Sequence, residues 1–340
     1  MKKIRHNNYT SFLPIARRHW STTAPFLSIR KTANIALAQL EKIFGKSELR
    51  SFPYFIKIEP TNKCNLKCAG CIHAADRADR SFKHGDIDME TFKKIVDELD
   101  KYLVKVSLYY EGEPLLHPSI AEMAGYLSSK RIASVISTNF NYLPDSLAEE
   151  LVKKKLTHLI ISLDGYDRQS YESYRRGGDW EKVLANIKKL QAVKKRLGSK
   201  YPIVEAQAIN FNKAGKDKLE KIRRVAEELK IDRFSVKEDL ISRYKQAMPA
   251  NKRCFWLYSS LSVKYDGTIQ PCCFFYESRS NDLADVSRYS NIKDIWNNEK
   301  FVSARKYFKN GEKKGDLQCY NCIFFYNRRS MDYYKYINNK

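Results

Sequence analysis

Eight cysteines in tight groups are the residues of this 340-residue sequence with the most chemistry to offer. Cys64, Cys68 and Cys71 form a C-x3-C-x2-C triplet in Cys64-Asn-Leu-Lys-Cys68-Ala-Gly-Cys71. Three thiolates can hold three irons of a 4Fe–4S cube, which leaves the fourth iron open to a substrate or cofactor. Alternatively, Cys68 and Cys71 are half of a zinc site, which needs a further ligand that His73 is near enough to supply. Cys254, Cys272, Cys273, Cys319 and Cys322 make the second group. Four thiolates there suit either one closed 4Fe–4S cluster or a tetrahedral zinc ion. An even cysteine count also admits disulfides, but that reading belongs to short secreted chains. The sequence shows no charged n-region, apolar h-region and cleavage pattern, so clustered thiols point to metal or iron–sulfur ligation in the cytoplasm.

The elements that must position these cysteines alternate in type. Residues 33–45 have apolar positions three and four apart and predict an amphipathic helix. Tyr54–Glu59 is a short strand pattern ending at Pro60, and the cysteine triplet follows it directly. Strand patterns recur at 104–109, 132–137, 158–163, 202–208 and 232–236, with helical patterns at 88–102, 118–129, 144–155, 180–197 and 215–230. Strands separated by helices imply right-handed βαβ crossovers and a parallel sheet, open or curled into a barrel. After about residue 240 the rhythm stops. Residues 254–276 predict a hairpin around Asp266-Gly267, followed by a helix at 291–308 and a loop bearing Cys319 and Cys322. The expected division is a basic, partly helical extension at 1–52, a barrel at 53–245, a small Cys-rich α+β domain at 246–325 and a polar basic tail at 326–340.

Here the sequence resembles the radical S-adenosylmethionine (radical SAM) enzymes. In that family the unique iron of a triplet-bound cluster binds SAM, and reductive cleavage yields a 5′-deoxyadenosyl radical that takes a hydrogen atom from the substrate. The resemblance implies a partial (β/α)6 barrel with the triplet after its first strand. Tyr110-Glu111-Gly112-Glu113-Pro114 resembles the family's Gly-Gly-Glu-Pro segment, so Gly112, Glu113 and Pro114 are expected at the SAM amino group, although Glu111 replaces the first glycine. Ser137-Thr138-Asn139 resembles the segment near the ribose and methionine, and Ser162-Leu163-Asp164-Gly165 the family's Ser-Xaa-Asp-Gly run. Tyr174-Arg175-Arg176-Gly177-Gly178 resembles the stretch whose arginine reaches the SAM carboxylate, and Arg175 is the residue chosen. Gly70 stands where the family often has an aromatic residue, so Ile72 or His73 is expected to hold adenine.

The second cysteine group resembles the SPASM/Twitch extension, including Asn291-Ile292-Lys293-Asp294-Ile295-Trp296-Asn297. That resemblance implies one auxiliary 4Fe–4S cluster on Cys254, Cys272, Cys319 and Cys322, with Cys273 spare because the family's Gly-x4-Cys spacing from Gly267 selects Cys272. A structural zinc ribbon is the competing reading. The cluster would accept an electron, conduct one, or staple the small domain.

The balance of 62 Lys+Arg against 39 Asp+Glu gives a formal +23, and residues 1–40 carry seven basic residues and no acid. Such a segment suits an anionic membrane surface, nucleic acid, an organellar transit peptide or a solvated extension. With 43% hydrophobic residues the chain buries a core, and no stretch approaches the ~18–20 apolar residues of a membrane span. The expected reaction is redox-linked C–H activation on an anionic or polyhydroxylated substrate, such as a sugar, glycan or lipid head group. A flavodoxin- or ferredoxin-like protein would donate the electrons. Tyr109, Gln207, Asn210, Lys237 and Glu238 are candidates at the strands' C-terminal ends. A peptide- or protein-modifying maturase is the alternative within the family. Outside it stands an iron–sulfur or zinc protein that binds nucleic acid, against which the motif series argues.

Overall fold

The computed structural model describes residues 20–71, 73–74, 82–210, 216–238, 253–272 and 282–322. Six parallel strands, β1 (Phe55–Ile58), β2 (Lys105–Leu108), β3 (Ala133–Thr138), β4 (His158–Ser162), β5 (Ile203–Asn210) and β6 (Arg233–Glu238), pair in chain order. Every crossover therefore steps the same way. Right-handed connections that all step one way place their helices on a single face of the sheet, and the opposite face is free to curl inward as a partial barrel.

Most of the helices are those the spacing predicts, with small shifts at their ends; the five-residue helix Arg168–Glu172 is not among them. α1 (Ile29–Phe44) is capped by Ser28, whose side chain accepts from the Lys31 amide at 3.3 Å. α2 (Met89–Leu99), α3 (Ile120–Ser129), α4 (Asp145–Lys153), α5 (Arg168–Glu172), α6 (Trp180–Arg196) and α7 (Lys216–Glu228) follow. α2 and α6 start on Asp88 and Asp179, each accepting a backbone amide of the first turn. Among the described residues no helix is long and apolar enough to cross a membrane.

Strand alternation gives the sheet two unlike faces. Ile56, Ile58, Val106, Leu108, Ile136, Leu159, Ile161, Val204, Ala206 and Val236 enter the main hydrophobic core against the helices. The alternate residues, Lys57, Ser107, Ser137, Ser162, Gln207 and Lys237 among them, face the other way, and the register keeps them in line from strand to strand.

The C-terminal part does not form a sheet of its own. β7 (Ser260–Val263), which follows the short helix α8 (Trp256–Ser259), pairs in parallel with β1. β8 (Thr268–Gln270) and β9 (Ala284–Asp285) then add in antiparallel fashion, giving nine strands in one sheet. The predicted turn sits between β7 and β8, with Gly267 at φ +84°. The expected single helix at 291–308 is two, α9 (Ile292–Trp296) and α10 (Glu299–Asn310). Asn297 turns its amide onto the Leu49 backbone, and Asn298 caps α10 by accepting from the Phe301 amide. Asparagine side chains that bond backbone in this way compete with helix continuation. Ile72, Cys273, residues 1–19, the expected domain junction at 245/246 and the tail lie outside the described residues.

Candidate active site and cysteine centres

The loop after β1 is fastened both before its first thiol and between its thiols. Asn62 exchanges hydrogen bonds with the 83–85 segment: its Nδ2 donates to the Lys83 carbonyl at 2.8 Å and its Oδ1 accepts from the Gly85 amide at 2.9 Å. Further on, the Lys67 amide donates to the Arg176 carbonyl at 2.9 Å and the Ala69 amide to that of Tyr174 at 2.8 Å. The cysteine loop is thus laid along the Tyr174–Arg176 segment, and Arg175 Nη1 lies 3.6 Å from Cys68 Sγ. Burial pushes the Cys68 thiol up, and the Arg175 guanidinium pulls it down.

Gly112 is where the loop after β2 meets the first. A Cβ there would stand 2.2 Å from the Thr61 carbonyl oxygen and 2.6 Å from that of Lys63, so only glycine fits. The next amide, of Glu113, donates to the Lys63 carbonyl at 2.7 Å. Glu113 itself is buried and turned inward. Its Oε1 accepts from Leu115 N at 3.1 Å and Thr138 Oγ1 at 2.6 Å, and its Oε2 from Asn139 N at 2.7 Å. The carboxylate expected at a SAM amino group therefore already ties the loop after β2 to the end of β3. Burial raises its pKa and the three donors act against that. Asn139 completes this layer, its Nδ2 donating to Asn65 Oδ1 at 2.8 Å and lying 4.0 Å from Cys64 Sγ.

Arg175 is held by a residue outside the expected site set. Its Nε donates to Asp164 Oδ2 at 2.8 Å, its Nη2 donates to the same oxygen, and Asp164 Oδ1 accepts from the Ile209 amide at 2.8 Å. Burial works against the guanidinium charge, but Asp164, Tyr174 and Cys68 hold its pKa well above the ordinary arginine value. The signal for Asp164 was in the sequence, as the third residue of Ser162-Leu163-Asp164-Gly165 at the end of β4. Glu59, Glu111 and Lys264 carried no such signal. They meet where β1, β2 and β7 end: Glu59 Oε1 accepts from the Glu111 amide at 3.1 Å, Lys264 Nζ lies 3.5 Å from Glu111 Oε1, and His73 Nδ1 lies 3.5 Å from Glu111 Oε2.

The other expected residues are placed as follows. Ser137 and Ser162 are half-buried on the inner face, and Pro114 is buried in a short helical turn, Pro114–Leu116. Tyr109 lies under the Lys57 ammonium, 4.6 Å from its ring centre. Gln207 and Lys237 are half-buried on the inner face, whereas Asn210 falls on the alternate, helix-facing side and is buried. Glu238 ends β6 opposite Asn210. Beneath them Glu205 accepts from Ser235 Oγ at 2.5 Å and lies 3.1 Å from His158 Nε2, closing the floor.

In the C-terminal part Cys254, Cys272 and Cys319 are buried and Cys322 is half-buried. Burial pushes the Cys319 thiol up, and the charges of Cys254 and Cys322 add to that. Buried Arg305 braces the surround, donating to the carbonyls of Leu257, Ser47 and Trp296. Among the described residues no three His, Cys, Asp or Glu side chains enclose a single metal ion. Both sets of cysteines fit iron–sulfur ligation in donor chemistry: three thiols on one fastened loop, with a cation beside Cys68, and four buried or half-buried thiols in the C-terminal part.

Residues 58–205 match the radical SAM superfamily, and residues 254–323 match an iron–sulfur cluster-binding domain, SPASM. The chain is a radical SAM protein with a C-terminal SPASM domain. The radical SAM domain implies a 4Fe–4S cluster with SAM, and the SPASM domain implies auxiliary iron–sulfur. Fe-coproporphyrin III synthase of Methanosarcina barkeri is 29% identical over 144 residues, 42% of this chain and 35% of the relative. Over the first curated relatives that it matches, the chain spans less than half of their length. The S-adenosyl-L-methionine-dependent 2-deoxy-scyllo-inosamine dehydrogenase of Niallia circulans is 22% identical over 78% of this chain and 91% of its own. Streptococcus suis SuiB bound to S-adenosylmethionine shares the fold, with a TM-score of 0.61 and 18% identity over 87% of this chain and 77% of SuiB.

Proposed function

We propose that this radical SAM protein abstracts a hydrogen atom from an anionic or polyhydroxylated small substrate seated on the inner face of its sheet. The observation that carries this reading is the polarity of that face. Lys57 and Lys237 stand on it with Ser107, Ser137, Ser162 and Gln207, while the other face is mostly apolar, with Ser134, Thr138 and Asn210 as polar exceptions. Hydroxyls and an amide match the hydrogen-bonding edge of a polyol, and two ammonium groups match an anionic group.

Cys64, Cys68 and Cys71 would hold the cluster that binds SAM, and Cys254, Cys272, Cys319 and Cys322 the auxiliary one. The reduced cluster with SAM supplies the electron and the hydrogen-atom acceptor. Gly112, Glu113, Pro114 and Asn139 fix the loop edge against which SAM would lie, and Ser137 and Ser162 border it. Arg175, aimed by Asp164, brings a fixed cation to the thiol end of the site, where a carboxylate is best bound. A small flavodoxin- or ferredoxin-like protein is the fitting electron donor. Dehydrogenation of 2-deoxy-scyllo-inosamine, the reaction named for the N. circulans relative, lies within the substrate class proposed here.

The test is an anaerobic incubation of reduced, cluster-loaded protein with SAM and substrates deuterated at the reacting carbon. Deuterium in 5′-deoxyadenosine from a sugar, sugar phosphate or nucleotide sugar supports the reading. Lys57→Ala/Lys237→Ala should raise KM for that substrate about tenfold or more, one lost charged hydrogen bond being worth ~1.5–3 kcal/mol. Substrate-free SAM cleavage should be unchanged. Turnover of peptides alone would overturn the substrate class and favour the maturase reading.

A further inference from the structure

We propose that α1 is a membrane-docking helix that seats its exposed apolar stripe on an anionic lipid bilayer. The helix is turned inside out relative to an ordinary surface helix, whose apolar stripe faces the core. Its polar residues point inward and work there. Lys31 Nζ donates to the Arg131 carbonyl at 2.8 Å, and Asn34 exchanges two 2.9 Å hydrogen bonds with the Phe52 backbone. Glu41 accepts from the Arg50 amide at 2.7 Å and from the Ser51 hydroxyl at 2.5 Å.

What faces outward is apolar: Ile29 at 92% exposure, Leu37 at 37%, Leu40 at 51%, Ile43 at 64% and Phe44 at 67%. At about 100° per residue these five fall within roughly 120° of the helix circumference, with exposed Ala33 and Ala36 between them. Singly exposed apolar residues are ordinary, but a contiguous row of five large ones marks an interaction surface.

Charge chooses the occupant. Residues 1–40 contain seven Lys and Arg and no acid, and the one acid of α1, Glu41, is buried and spoken for. Arg30, Lys46 and Arg50 are exposed at and just beyond the helix ends, with Glu48 the one exposed acid among them. A second copy would bring a like net charge against this one, each chain carrying a formal +23, and be repelled. An anionic bilayer offers the opposite charge together with an apolar layer at the depth that Leu, Ile and Phe reach.

The experiment is co-sedimentation of the full, cluster-loaded chain with large vesicles of phosphatidylcholine, with or without phosphatidylglycerol. The expected result is pelleting with the anionic vesicles at low salt, weakened by high salt. Leu40→Gln/Ile43→Gln/Phe44→Gln should lower the partition coefficient at least about tenfold. All three side chains are exposed, so SAM cleavage by this variant should match the parent and show that it folds. Wild-type protein left in the supernatant with anionic vesicles, or a triple variant that pellets equally well, overturns the proposal. So does light scattering that finds a dimer which the triple variant dissolves, because the stripe then belongs to a second copy. Vesicle binding seen only after deletion of residues 2–19 overturns it too, because the stripe is then covered by the chain itself.

Discussion

Arg175 and Asp164 stand or fall together. The carboxylate is buried and takes two guanidinium hydrogen bonds, so Arg175→Ala leaves a buried charge without its partner. The expected cost is ~3–5 kcal/mol in denaturant unfolding, with SAM cleavage lost as well. Arg175→Lys keeps the charge but cannot reach Asp164 and Cys68 at once, and should recover stability more than activity. Equal recovery of both would show that the fork geometry is unimportant. Glu59 makes the neighbouring prediction in pH. Burial, then the Glu111 charge, push its pKa from 4.5 to about 8. The native state thus binds a proton that the unfolded chain has released, and stability falls as pH rises between about 4.5 and about 8. One proton limits the slope to about 1.4 kcal/mol per pH unit. Glu59→Gln should flatten the dependence of the urea midpoint on pH across that window, and parallel curves for the two proteins would remove Glu59 as its source. Arg175 was legible because it sits in a recognisable run. Glu59 and Glu111 were not, since their encounter depends on β1, β2 and β7 ending side by side.

Gly112 couples the two loops that carry the site, which makes an element of what reads as one residue. Gly112→Ala must push the loop after β2 off Thr61 and Lys63. The expected result is iron near four per chain where the parent holds about eight, as for Cys64→Ala/Cys68→Ala/Cys71→Ala, with the auxiliary iron retained. A Gly112→Ala protein with full iron would mean that the loops move apart without losing the thiols. At this scale the sequence was most readable. The barrel strands follow from short apolar runs between helical patterns and the longer helices from a local period near 3.6, whereas Arg168–Glu172 is too short to show one. The break between α9 and α10 was hidden because Asn297 leaves the helix for Leu49, almost 250 residues away in sequence. The attachment of β7 to β1 was hidden for the same reason: parallel pairing across the whole chain leaves no trace in either strand.

That attachment decides how the molecule behaves as a whole. β1 lies between β2 and β7, so removing everything after residue 250 takes away β7, β8 and β9 and leaves β1 as an unpaired, largely apolar edge of a six-stranded sheet. The shortened chain should be largely insoluble, measured as the soluble fraction at equal expression. A soluble, monomeric product that still binds iron at its triplet would show instead that the barrel closes unaided. The axis of the barrel has two unlike ends. α1 lies under the strand starts, where Ala38 packs with Tyr54 and Val104, the residues just ahead of β1 and β2, while Cys64, Cys68, Cys71 and Arg175 gather past the strand ends. Strands of four to eight residues at about 3.3 Å per residue put roughly 13–26 Å between the two. A molecule resting on α1 holds its oxidising chemistry upright in the aqueous phase, a barrel's height away from the acyl chains below. The allylic hydrogens of unsaturated lipids, among the weakest C–H bonds in a cell, are then out of reach of the hydrogen abstractor, and its substrate arrives from solution.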